Sequence, residues 1–170
     1  MSMWHTWSFR IPLRADLDAA TLRVLEAVAR DTAPAPEDLA RLHPVVAHYL
    51  GNWTRLLTGE EPPFVGPPLR LSGHWSGDRV LAVDFSQHDD EFANGGYVLW
   101  AWALQLIARP GRGRVLIGHH APDRDDLTWY PVVAGPDGVD EGRGRVLTWA
   151  EIERGWAEML DDTSWATYPD

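Results

Sequence analysis

The sequence predicts an α+β fold: a single-domain antiparallel sheet with helices packed mainly on one face. Three observations favour it, namely paired segments with strand-like alternation, helical periodicity between those segments, and no linker long enough to divide the 170 residues. The predicted order is β-α-(αα)-β-β-α-β-β-α. We expect one globular domain over residues 1–170, since a chain of this length forms about one domain.

The first strand and the first helices are predicted in the N-terminal third. Residues 6–13 alternate between polar and apolar side chains, which is the period of a half-buried strand. Asp16 or Asp18 can then cap a helix that continues to about residue 30. A connector and a short turn lead to a helix over residues 44 to about 57, because Pro is tolerated at the first helical position.

The clearest hairpin is predicted at residues 69–86. Apolar residues occupy odd-numbered positions in both strands. If they share one face, the residue numbers of two cross-strand partners add up to an even number, so the loop must hold an odd number of residues. We expect the three-residue loop Ser76-Gly77-Asp78, in which Gly can adopt a positive φ. The other face of the hairpin is then shared by His74, Asp84 and Ser86.

The second half of the chain adds one buried helix and a second pair of strands. Residues 90–108 are apolar on all sides, which is typical of a buried helix, and Gly95-Gly96 is the point where that helix can be interrupted. Residues 115–119 and 127–133 have the pattern of an antiparallel pair.

A hexapeptide, Gly-Arg-Gly-Arg-Val-Leu, occurs at residues 111–116 and again at 142–147. Each copy is predicted to be a loop that enters a short strand, and Asp137-Gly138 between them marks a turn. Two copies do not indicate a repeat architecture, which needs at least three. Thr148-Trp149-Ala150-Glu151 has the form of a capping box that starts an amphipathic last helix.

Composition disfavours several classes of protein. The chain has no Cys, which excludes disulfides and a Cys nucleophile, and it has no Lys, which excludes Schiff-base and P-loop chemistry. The net charge of -10 disfavours nucleic acid and anionic lipid as partners. Neither a signal peptide nor an apolar run of about 18 residues is found, so we expect a cytoplasmic protein without a membrane span. Its ten Trp are expected mainly in the core.

Most of the chemically useful side chains fall in two loops, residues 86–91 and residues 119–126. The three consecutive carboxylates of the first loop are best interpreted as the first turn of a helix, where negative charge is favoured; metal binding or acid–base catalysis is the alternative. His119 and His120 are adjacent on a predicted strand and point to opposite faces, so they cannot both ligate one metal. No metal ligand, cofactor or catalytic residue is therefore assigned.

Short motifs are spread over the chain from its second helix onward. They are His43-Pro44, Trp53, Leu56-Leu57, Gly59, Phe64, Gly66, Pro68, Asp89-Asp90-Glu91, Trp100 or Trp102, Val115-Leu116-Ile117-Gly118, Asp125-Asp126 and Leu127-Thr128-Trp129-Tyr130. Together they resemble a family of short, uncharacterised bacterial α+β proteins of unknown function, over about residues 5–135. The sequence departs from the family pattern at Gly95-Gly96 and His119-His120. The resemblance implies the fold and no activity.

Besides a structural domain of a larger assembly, two functions are compatible with these features. The favoured one is a non-enzymatic acidic interaction module, in the manner of an immunity protein or antitoxin, which binds a basic protein partner through complementary charge. The alternative is a small-molecule-binding protein or enzyme with a pocket between the sheet and the Pro-rich segment of residues 62–68, lined by His74, Asp84, His88 and His120. A homo-oligomer is compatible with either function.

Overall fold

A computed structural model describes residues 4–29, 32–51, 69–75, 78–88, 97–121, 128–142 and 144–164. The strands are β1 (Trp4–Pro12), β2 (Leu69–Trp75), β3 (Asp78–His88), β4 (Val115–Ala121), β5 (Tyr130–Ala134), β6 (Gly138–Asp140) and β7 (Val146–Thr148). The helices are α1 (Ala19–Ala29), α2 (Pro36–Leu39), α3 (Pro44–Gly51), α4 (Tyr97–Gln105) and α5 (Trp149–Asp161).

These strands form one sheet in the order β2-β3-β1-β4-β5-β6-β7, and each neighbouring pair is antiparallel. The sheet and its helices confirm the predicted α+β class. Over the described residues, the element order differs from the prediction only by β6 and β7, which are three residues long and too short to show an alternating pattern. Strand entry at Val115 and Val146 confirms the prediction for both hexapeptide copies.

One apolar cluster joins the helices to one face of the sheet. The odd-numbered residues Trp7, Phe9 and Ile11 of β1 are buried in it, so we call their side of the sheet the core face and the side of the even-numbered residues the outer face. The helices α1, α3, α4 and α5 contribute Val24, Leu25, Val45, Val46, Leu50, Val98, Trp102, Ala103, Leu104, Trp149 and Ile152. Burying a side chain such as Ile11 contributes about 1.5–3 kcal/mol, so this cluster supplies the main driving force for folding.

The β2–β3 hairpin differs from its prediction in the loop. Leu71 lies opposite Leu81, as the parity argument requires. A β-bulge that follows Ser72 then adds one residue to β2, and Trp75 pairs with Asp78. The predicted three-residue loop Ser76-Gly77-Asp78 is therefore wrong, because only two residues separate the strands. The extra residue of the bulge lies in β2 instead, so the odd-numbered apolar residues of the two strands can still face each other before it.

Helix α1 begins at Ala19 because Asp18 caps it. Its Oδ1 accepts hydrogen bonds from the backbone N–H groups of Ala20 and Thr21, both at 2.9 Å, and its Oδ2 accepts one from the Thr21 hydroxyl at 2.7 Å. The bond from the Thr21 hydroxyl is the main reason why the pKa of Asp18 lies below its ordinary value. Of the two caps predicted, the structure uses Asp18.

Helix α4 ends at Gln105, three residues before its predicted end. The chain turns there and Ile107 forms a β-bridge with Leu13, which ties the end of the helix to the segment after β1. The predicted start of this helix, with Gly95-Gly96, lies outside the described residues, as do residues 52–57 at the predicted end of α3.

An ion pair between the exposed Arg23 and the buried Asp38 connects α1 to α2. Arg23 donates from Nε to Asp38 Oδ2 at 2.8 Å and from Nη2 to Asp38 Oδ1 at 2.5 Å. The Arg23 guanidinium lowers the pKa of Asp38, whose side chain is buried. This carboxylate is therefore ionised at neutral pH and is satisfied within the chain.

The predicted capping box at the start of α5 is present. Glu151 N–H donates to the Thr148 hydroxyl at 3.2 Å, and Thr148 N–H donates to Glu151 Oε2 at 2.9 Å. We expect Thr148→Ala to lower the free energy of unfolding by about 1 kcal/mol at pH 7, because it leaves a helix N–H without its cap. Urea denaturation measures the change, and Thr163→Ala, on an exposed residue after the helix, is the control.

The backbone bond from Thr148 also lowers the pKa of Glu151. The stabilisation by this carboxylate is thus complete above the pKa of a Glu in the unfolded chain, about 4.3. It is lost as the pH falls through the lower pKa that Glu151 has in the folded protein. Glu151→Gln should be less stable than the parent at pH 7 and should approach it in stability in strong acid. A difference that does not change with pH would contradict this role of the charge.

Candidate functional site

Two of the four residues predicted to line a polar pocket lie at outer-face positions of the sheet. In the pairing of β1 with β3, Asp84 lies opposite Ser8 and His88 lies opposite Trp4, and both partners are even-numbered. The two positions are four residues apart along β3, which corresponds to about 13 Å. The side chains of Asp84 and His88 lie outside the described part of the structure, so a pocket between them stays a prediction.

His74 does not share the register of Asp84. The bulge in β2 shifts the pairing by one residue, so His74 lies opposite Arg79, an odd-numbered position of β3. Odd-numbered positions of β3 pair with the core-face residues of β1. The predicted common face of His74 and Asp84 is therefore wrong, for the same reason as the hairpin loop.

His120 lies in a buried aromatic cluster on the core face. It is 7% exposed and stacks on Trp7, with ring centroids 3.7 Å apart and planes inclined by 9°. Trp7 also packs against Phe9 and Trp100, at centroid distances of 5.4 and 5.9 Å. The sheet backbone thus separates His120 from the outer-face positions, and its ring contributes to core packing, where an aromatic pair adds about 0.5–1.5 kcal/mol beyond its buried area.

A β-bulge in β4 decides which of the two adjacent His faces the core. The register shifts next to Ile117, which is fully buried, and Gly118 then also occupies a core-face position. His120 follows on the core face and His119 on the outer face, whereas unbroken alternation from Ile117 would give the reverse. The prediction that the two His face opposite sides is confirmed, and the assignment of each to its side comes from the structure.

The outer face carries a polar row across three strands. Asp84, Ser8 and His119 occupy directly opposite positions on β3, β1 and β4, where neighbouring Cβ atoms are about 4.5–5.5 Å apart. A nucleophilic triad needs the His between the Ser and the carboxylate, whereas Ser8 lies in the middle here, so the row is not arranged for that chemistry. Of this row, the residues predicted for the pocket include only Asp84; they name His120, which lies on the core face, and neither Ser8 nor His119. The alternation in β1 predicts that Ser8 lies on the outer face. The sequence does not show which strands pair with β1, so it does not predict the neighbours of Ser8.

The two loops that carry most of the polar residues leave the sheet at the same end. Strand β3 ends at His88 opposite Trp4, and β4 ends at Ala121 opposite Thr6. Because β1 is antiparallel to both neighbours, the chain leaves β3 and β4 two strand spacings apart, about 10 Å. The acidic residues of both loops lie outside the described residues, so the interpretation of the first loop's carboxylates as a helix start stays a prediction.

The C-terminal end of α5 carries a concentrated negative surface. Residues 149–170 contain six acidic residues and one Arg. Glu158, Asp161 and Asp162, which we call the acidic face of α5, are exposed and lie three and four residues apart, so they are neighbours on the helix surface. None of the three forms an ion pair with another described residue. The backbone N–H of Ser164 donates to Asp162 Oδ1 at 2.8 Å and lowers the pKa of Asp162, which keeps it ionised.

Within the described ranges, no group of three or more His, Asp or Glu is arranged to hold a metal ion. Over the same ranges, no helix has the length and apolar character needed to cross a membrane.

Comparison with known proteins identifies no relative. No family model, no curated protein and no solved structure matches the chain. The resemblance to a family of short bacterial proteins therefore stays a prediction, and the function has to be argued from the residues themselves.

Proposed function

We propose that this protein is a non-enzymatic interaction module that binds a basic protein partner through the acidic face of α5. One observation carries the proposal: three exposed carboxylates lie together at the C-terminal end of a helix whose last turn holds no basic residue. A partner rich in Lys or Arg would complement them, as a basic effector complements an immunity protein or an antitoxin.

The position of these carboxylates is unfavourable for the isolated protein. The C-terminus of a helix carries the negative end of the backbone dipole, where cations are stabilising and anions are not. Neighbouring carboxylates at such spacing also repel one another. Apart from the bond that Asp162 accepts from the Ser164 N–H, folding gives no reason for this arrangement, whereas a cationic partner would relieve both the repulsion and the unfavourable dipole interaction.

Three other acidic residues are neutralised by Arg side chains within the chain. Asp38 pairs with Arg23, Asp140 with Arg114 at 2.6 Å, and Glu153 with Arg109 at 2.6 Å. The Arg109 guanidinium in addition lies over the ring of Trp149, 4.7 Å from its centroid. These pairs fix helices and strands to each other, so their carboxylates contribute to the structure, whereas the three carboxylates of the acidic face of α5 form no ion pair with another described residue.

The absence of Lys makes a direct test possible. A carbodiimide joins a carboxylate to an amine in contact with it, and this chain offers no side-chain amine. Its carboxylates can therefore be coupled only to an α-amino group or to another protein. Trypsin cleaves after Arg154 and leaves residues 155–170 as one peptide, which contains the whole acidic face. We expect partner peptides from a native lysate to be coupled to this peptide at low salt, and far fewer at 0.5 M salt.

A matched pair of variants separates the surface from the overall charge. Glu158→Gln, Asp161→Asn and Asp162→Asn together should reduce coupling and capture of the partner at least tenfold. Asp16→Asn, Glu26→Gln and Glu37→Gln remove the same charge from exposed residues on the α1–α2 side and should leave capture almost unchanged. Equal losses in the two variants, or coupling that maps away from residues 155–170, would contradict the proposal.

A further inference from the structure

We draw no further inference here: the strongest candidate, the outer face of the sheet between β4 and β7, where the half-exposed side chains of Leu116 and Val146 lie on either side of Asp140, carries none, because nothing in the described part of the structure shows what covers this face.

Discussion

Replacing Gly118 with Ala is expected to lower the free energy of unfolding by about 3 kcal/mol or more, or to prevent folding. A Cβ atom at Gly118 would lie 2.9 Å from the Cα of Phe9, and closer still to the Phe9 ring and the Ser8 carbonyl oxygen. Two of these three contacts are with backbone atoms of β1, which is held by hydrogen bonds to β3 on its other side. The neighbouring strand cannot move away without breaking that pairing, so the substitution disrupts the middle of the sheet.

Urea denaturation of the purified variant measures the effect. Gly111→Ala is the first control, because a Cβ there has nothing within 4 Å, and its stability should stay within about 0.5 kcal/mol of the parent. Gly155→Ala is a second control, for which we expect the free energy of unfolding to rise. It lies in α5 with open space around it, and Ala in an exposed helix interior should stabilise the protein by about 0.5–1 kcal/mol. A Gly118→Ala variant as stable as these controls would mean that β1 and β4 do not pair in this register.

The periodicity of single segments predicted most of the fold. Alternation in β1 and the apolar residues of α4 depend on local chemistry, and the structure has both elements near their predicted positions. The capping box before α5 was predictable because all its bonds join residues three apart in sequence. The short strands β6 and β7 were not predicted as a pair, since three residues give no period and their formation depends on β5 beside them.

The candidate site was harder to predict because it depends on register across strands. The parity argument assumes unbroken strands, and each of two bulges moves the residues beyond it to the other face. The bulge in β2 changes the face of His74, and the bulge beside Ile117 exchanges His119 and His120. Neither bulge has a clear sequence signal, although Gly73 and Gly118, close to the two shifts, are residues that a bulge tolerates. The acidic face of α5 could be found from composition and helical spacing alone.

The second large effect on stability is expected at the two adjacent His of β4, His119 and His120, whose faces are exchanged by the bulge. His120→Ala should lower the free energy of unfolding by about 2–3 kcal/mol, because it removes a buried ring that stacks on Trp7 and leaves a cavity beside Trp7. His119→Ala should cost about 1 kcal/mol or less, since that ring is half exposed on the outer face. Equilibrium urea denaturation of the parent and of the two variants under the same conditions compares the two effects.

The comparison also decides which His can take part in any chemistry on the outer face. If His120→Ala is the more damaging substitution, the bulge is present, and only His119 can act with Ser8 and the strand residue Asp84. A larger loss for His119→Ala would mean that β4 alternates without a bulge. His120 would then lie on the outer face with Asp84 and His88, as the sequence alone predicts for a polar pocket. The stability of two single-residue variants thus tests the geometry on which a small-molecule site would have to be built.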